Sequence, residues 1–357
     1  MWMFRWYRPE SDRYLHLDVL RFLASAAIVV FHYRALMDWT PSPAVKISLD
    51  ALRFAVDLFF VISGIVMADL YRGRLDSSGA YGAFLRRRVA RLLPLHYATL
   101  AFCVALGAIA GVLNVRLSSP EVFSPACIVP NLLMLQAFDT CSHLSFNGPS
   151  WSISAEMALY VALPPLLALT ARRGLALILV VALIGILFAI RGPLKTDWTM
   201  WTYDLGVIRA VPSFMLGLLL AGSDHLLARL PRPRLLLVLA LVGFAAASLT
   251  HMHDAVLLGA SYLIATFGLA ADRRGAAGRL VRGAAPLGRL TYSLYMLHMP
   301  VALIFISGGG KHLLGLTGSA MNLWVVATAL TALPVAAIAS LNLFETPLRR
   351  WIAGRQA

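Results

Sequence analysis

LDVLRFLASAAIVVFHY, residues 17–33, decides the fold. The stretch is long and apolar enough for a membrane helix, yet it carries Arg21 in one half and His32 near its far end. Eleven residues at about 100° each bring the two side chains to within about 20° of one another, on one helical face. At 1.5 Å per residue they stand about 16 Å apart along the axis, half the hydrocarbon thickness. An ionisable side chain in lipid costs ~2.5–3.5 kcal/mol on insertion scales and is tolerated where it faces protein or a water-filled cavity. Two on one face predict a polar groove running through the membrane.

The rest of the chain repeats the apolar theme. Of 357 residues, 59% are hydrophobic and 13% charged, against about 25% charged in a soluble domain. The expectation is an all-α polytopic membrane protein, one integral-membrane domain over residues 1–357 with no separate soluble domain. About ten spans can be drawn, at 15–37, 53–70, 92–113, 150–170, 174–190, 205–222, 235–251, 255–271, 290–306 and 321–342. With both termini cytoplasmic, 22 of the 31 Lys and Arg fall on the inner side and seven on the outer. That asymmetry is the positive-inside rule. It accounts for the net charge of +14 as a topology signal, so membrane lipids rather than nucleic acid are the expected partners.

Residues 1–14, basic and with Trp2, Trp6 and Tyr7, read as an interfacial anchor. Ala24-Ser25-Ala26 is like a cleavage site, but cleavage would discard Arg21, so an uncleaved signal-anchor is expected. Three cysteines make no framework. Cys127 and Cys141 could pair in an oxidising compartment; two unpaired small residues is the reading preferred here. No spacing calls for a metal.

Further ionisable residues recur at comparable depth. Asp57 and His32 lie in the outer third of their spans, as do Glu156 and Arg209. Four such groups on four helices predict one buried cluster, serving either as structural glue or as general-base machinery in which a carboxylate orients an imidazole. Ser63-Gly64 reads as a helix-packing notch, Trp151 as a marker of the outer interface, and His298, before Pro300, as a packing residue. The inner run AFLRRRVARLLP places Arg88 and Arg91 three apart at a helix start, with Pro94 in its first turn. Such guanidinium pairs suit phosphate, lipid headgroups or plain orientation. The apolar piece at 128–138 is too short to span. It predicts a re-entrant or interfacial segment within 114–149, with Asp139, His143 and Asn147 as lining.

Five elements in one order resemble the membrane acyltransferase 3 family: Arg21 to His32 at eleven residues, DLFFVISG at 57–64, RVARLLP at 88–94, WSISAE at 151–156 and YSLYMLHMP at 292–300. One carboxylate, Glu156, stands where many members have two. The resemblance implies an O-acyltransferase of the bacterial cytoplasmic (inner) membrane, a stand-alone membrane domain acting on a surface or exopolysaccharide sugar. It implies an acyl-CoA donor, acetyl-CoA by family frequency, and a lipid-linked glycan acceptor. His32 would then be the general base, or carry the acyl group, with Glu156 orienting it. Arg21, Arg88 and Arg91 would bind the donor. Asp57, Ser63, Trp151, Arg209, Tyr295 and His298 would support or line the site. A transporter or flippase would use the same groove without bond chemistry; the absence of an inverted repeat in the sequence counts against it.

Overall fold

The computed structural model describes residues 13–114, 119–190, 197–275 and 277–354. The anchor expected around Trp2, Trp6 and Tyr7 lies outside them. Among the described residues every regular element is helical. Six helices are long and apolar enough to cross a membrane: Leu15–Leu36, Pro43–Tyr71, Ser78–Val112, Asp254–Arg273, Arg279–Leu313 and Gly318–Ala353. A seventh is bent by 63° between Gly148–Val161 and Leu163–Ala171. The bend follows from Pro164 and Pro165, which cannot donate to the preceding turn and clash with its carbonyls. The remaining three expected spans are apolar helices of 16 or 17 residues, Arg173–Ala189, Gly206–Ala221 and Pro233–Leu249. At about 26 Å or less they fall short of a hydrocarbon core of ~30 Å. Leu177, Ile178, Val181 and Ile186 on the first of these stay exposed, as side chains facing lipid would. The protein is thus a multi-pass membrane protein.

The chain divides into two compact units, Met1–Val66 with Leu220–Asn342, and Met67–Leu219 with Leu343–Ala357. In the first unit the helix Leu15–Tyr33 has no side-chain cap of its own. Asp272 supplies one from the end of Asp254–Arg273: its carboxylate accepts from the amides of His16 (2.8 Å) and Leu17 (3.0 Å), and lies 2.7 Å from His16 Nδ1. Two of the orphan amides of the first turn are thereby satisfied by a charge of the favourable sign. Gly268 and Gly288 admit this helix closely. A Cβ at Gly268 would stand 2.6 Å from Leu20, and one at Gly288 2.8 Å from the Asp18 carbonyl oxygen. Farther along, Val29 and Tyr33 join Leu290, Leu294, Val301, Ile306 and Met321 in the unit's apolar core.

The helix carrying Pro300 does not stop at 306. It widens into a π-helix over Ala302–Leu313, with Lys311 in its last turn. Gly310 makes the space: a Cβ there would meet the Trp324 ring at 2.7 Å, and Trp324 Nε1 donates to the Phe305 carbonyl at 2.7 Å.

The second unit is built on Ser78–Val112. Ser77 caps this helix by accepting from the Ala80 amide at 3.2 Å. The arginine cluster therefore sits two to three turns inside a helix rather than at its start, and Pro94 is interior. The extra turns form because Phe84 buries against Tyr71 and Tyr160, with ring centroids 4.6 and 6.0 Å away. Unlike the expected pair of free thiols, Cys127 and Cys141 form a disulfide, with Cα atoms 5.9 Å apart. Only five residues of the 128–138 piece, Ile128–Leu132, are helical. Its irregular backbone is satisfied by neighbours. His96 Nε2 donates to the Asn131 carbonyl (2.9 Å), Tyr97 to that of Leu132 (2.9 Å), Ser154 to that of Met134 (2.6 Å) and the Val207 amide to that of Ala137 (3.2 Å). Non-helical backbone at membrane depth requires such partners.

Candidate functional site

His32 lies in the last turn of the helix Leu15–Tyr33 and is half-buried. Its Nδ1 lies 3.0 Å from the Ile28 carbonyl and 3.3 Å from Nε2 of His298. A carbonyl only accepts, so Nδ1 carries the proton and, in the neutral ring, Nε2 carries the lone pair. The same logic applies one ring further. His298, fully buried, places Nδ1 2.6 Å from the Tyr295 carbonyl, which makes its Nε2 the acceptor facing His32. Tyr33 donates to the His298 carbonyl at 2.8 Å, a second donor on an oxygen that the Ala302 amide also reaches. Tyr295 packs edge-on against Phe59, 5.8 Å between centroids. His298, read from its position as a packing residue and from the resemblance as supporting the site, thus faces His32.

Elsewhere in this unit Arg21 faces Asp18, one turn back, at 3.5 Å. Asp18 is buried, and its place beside an expected ligand-binding arginine could have been read from the spacing of three. Asp57 is almost fully buried, and Ser63 is partly exposed at mid-helix.

The second unit gathers the other expected residues. Arg88 donates through Nη2 to the Tyr71 hydroxyl at 3.2 Å, and Arg87 Nε reaches the same oxygen at 3.4 Å. The Arg88 guanidinium lies 5.7–5.8 Å from the ring centres of Tyr71, Phe84 and Tyr160, within cation–π range. Its Nε is buried with no hydrogen-bond partner, and neither Arg87 nor Arg88 has a carboxylate partner among the described residues. Arg91 lies on the same helical face. Arg72 is used differently, donating to Thr170 Oγ1 (3.0 Å) and the Leu218 carbonyl (2.8 Å). Burial first, then Arg173, lowers its pKa below the ordinary arginine value.

Glu156 accepts a short hydrogen bond from Tyr160, a turn further along its helix. Arg209, 2% exposed, lies 5.3 Å from the Trp151 ring centre and donates to the Trp201 carbonyl at 3.4 Å. Trp151 is therefore not an interfacial marker. It is 5% exposed and seats against Gly206, where a Cβ would stand 2.6 Å from the ring. Tyr71, Tyr160 and Asp18 were not singled out from the sequence. The first two are signalled only by aromatic spacing around the arginines.

Among the described residues no group of three or more His, Cys, Asp or Glu is placed to hold a metal ion. The family described as "Acyltransferase domain", acyltransferase 3, matches residues 14–341. Acyltransferase MdmB of Streptomyces mycarofaciens is 32% identical over 164 residues, 44% of this chain and 40% of that protein's length. Protein 2 in the picA locus of Rhizobium radiobacter is 32% identical over 165 residues, 42% of this chain and 80% of that protein. No solved structure matches the chain. The matched stretch begins just before Arg21 and takes in His32, Arg88, Glu156 and His298; the chain belongs to the acyltransferase 3 family.

Proposed function

We propose that the protein is an O-acyltransferase that takes an acyl group, acetyl in the simplest case, from cytoplasmic acyl-CoA. The acceptor is a hydroxyl of a surface or exopolysaccharide sugar, lipid-linked, on the far side of the bacterial cytoplasmic membrane. Family membership supports the reaction class, and the name of the Streptomyces relative agrees with it. The observation that carries the site is His32, a half-buried imidazole whose Nδ1–H is committed and whose Nε2 is left as the base.

In this reading the acceptor O–H bond breaks with its proton passing to His32 Nε2. The oxygen bonds to the thioester carbon, the C–S bond breaks, and the leaving thiolate takes the proton back from the imidazolium. A positioned base of this kind contributes a factor of about 10²–10⁴. The phosphate groups of the donor fit Arg87 and Arg88, which have no carboxylate partner among the described residues, the Arg88 Nε being buried without an acceptor. Arg91, on the same helical face as Arg88, adds positive charge there, and Arg21 is read as a donor-binding residue in its own unit. In the unit that holds His32, Asp57, Ser63 and Tyr295 are read as supporting residues; in the unit that holds Arg88, Trp151, Glu156 and Arg209 are.

The test is to supply purified protein in vesicles with radiolabelled acetyl-CoA and a lipid-linked glycan. Label is expected as an alkali-labile ester on the glycan, and His32→Ala should abolish it. Glycan crossing the vesicle membrane with no ester formed would instead establish the transporter.

A further inference from the structure

We propose that His298 is the positioning residue for His32, a neutral imidazole doing what a carboxylate does in a hydrolase triad. This deepens the acyl-transfer reading and rests on it. Two buried constraints fix the direction of the pair. The Tyr295 carbonyl, 2.6 Å from Nδ1, fixes the proton of His298 on that atom, so its Nε2 lone pair points at His32. That lone pair is fully buried, and His32 Nδ1–H is its hydrogen-bond donor among the described residues. A buried acceptor without a donor costs about 1–3 kcal/mol, so the donor tautomer of His32 is the one the fold selects.

The Ile28 carbonyl, 3.0 Å away, shares the same Nδ1–H. Four residues back in an α-helix, the same oxygen also takes the His32 amide. His298 therefore supplies what the helix cannot, an acceptor that is otherwise unused. Its effect grows during the reaction. When Nε2 of His32 takes the acceptor's proton, the ring becomes a cation and its Nδ1–H a stronger donor. The 3.3 Å contact to His298 then becomes a charge-assisted hydrogen bond. Pro300, two residues on, and the π-helix from Ala302 hold the backbone that carries this ring. The Tyr33 bond to the His298 carbonyl ties it back to the first helix, beside His32 itself. His298 touches no reacting atom in this scheme.

The experiment uses the full-length protein, ¹⁵N-labelled at histidine, in lipid bilayers. Solid-state NMR of the imidazole nitrogens is assigned by difference from His32→Gln and His298→Gln. Wild type is expected to show both rings neutral and protonated at Nδ1. In His298→Phe the His32 signal should become a mixture of tautomers, and kcat should fall about 10- to 100-fold with the acetyl-CoA KM unchanged. His298→Gln, whose amide oxygen can accept from His32, should recover most of the rate. The proposal is overturned if His32 keeps a single Nδ1–H tautomer in His298→Phe. It is equally overturned if the folded Phe variant turns over at the wild-type rate, or if Gln is no better than Phe. Should wild-type protein form no ester at all, the acyl-transfer reading fails, while the tautomer measurement still decides whether His298 orients His32.

Discussion

Arg88 and Arg87 donate to one oxygen, the Tyr71 hydroxyl, at 3.2 and 3.4 Å. Two guanidinium groups on a single phenol repel one another, and no carboxylate among the described residues offsets them. An anion is the natural third member. Replacing Arg88 by Ala removes one charge-assisted contact of about 1.5–3 kcal/mol, so the acetyl-CoA KM should rise about 10- to 100-fold with little change in kcat. Arg88→Lys should recover little, because lysine keeps the charge but loses the planar fork and the stacking on Phe84 and Tyr160. Arg86, exposed on the same helix, is the control: its Ala variant should stay within about twofold of wild type if local contact rather than overall charge governs binding. Initial rates across a range of acetyl-CoA concentrations decide it.

Gly288 makes a different kind of contact. A Cβ there would stand 2.8 Å from both the Cβ and the backbone oxygen of Asp18, and backbone cannot swing aside. Gly288→Ala should lower stability by about 1–3 kcal/mol and, by displacing Asp18, disturb Arg21 as well. Gly283, with nothing within 4 Å of its added Cβ, should tolerate Ala or gain up to ~1 kcal/mol from helix propensity. Thermal denaturation in detergent compares the two directly; equal midpoints would show that the close approach at 288 is not maintained in solution.

The Cys127–Cys141 bond closes a loop of 14 residues in sequence separation. It is expected where the compartment is oxidising, which fits an extracytoplasmic position for this segment. Denatured protein should show one alkylatable thiol before reduction, Cys103, and three after. Cys127→Ser should cost about 3 kcal/mol on the chain-entropy account. Three thiols before reduction, in protein taken from intact cells, would place the segment on the reducing side.

The apolar periodicity of the chain made the helices legible, and the step of eleven residues from Arg21 to His32 placed both on one face. Length and composition alone could not supply the breaks. The 63° bend after Val161 belongs to the Pro164-Pro165 pair inside an apolar run, and the π-helix from Ala302 depends on Gly310 meeting Trp324 of the next helix. The site was legible in part. His32, His298 and Arg88 could each be picked out by type and position. That His298 faces His32, and that Tyr71 gathers Arg87 and Arg88, depends on helix rotation and packing, which no spacing along one helix encodes. Trp151 misled for the same reason. Tryptophan is common at membrane interfaces, but the missing side chain at Gly206 lets this one bury against Arg209.

Glu156 separates charge from shape. Its carboxylate accepts from Tyr160, whose ring in turn lies against Arg88, so the residue either serves the reaction through its charge or merely holds that tyrosine. Glu156→Gln keeps an oxygen for the Tyr160 hydroxyl and removes the charge. Tyr160→Phe keeps the charge and removes the bond. If the carboxylate serves the reaction through its charge, the Gln variant should lose about 10²-fold in kcat while melting like wild type. The Phe variant should then lose about 0.5–1.5 kcal/mol of stability and raise the acetyl-CoA KM through the displaced ring beside Arg88, with a smaller effect on kcat. The opposite pattern, an active Glu156→Gln and an inactive Tyr160→Phe, would assign Glu156 to the scaffold and leave His32 and His298 as the groups that handle the proton.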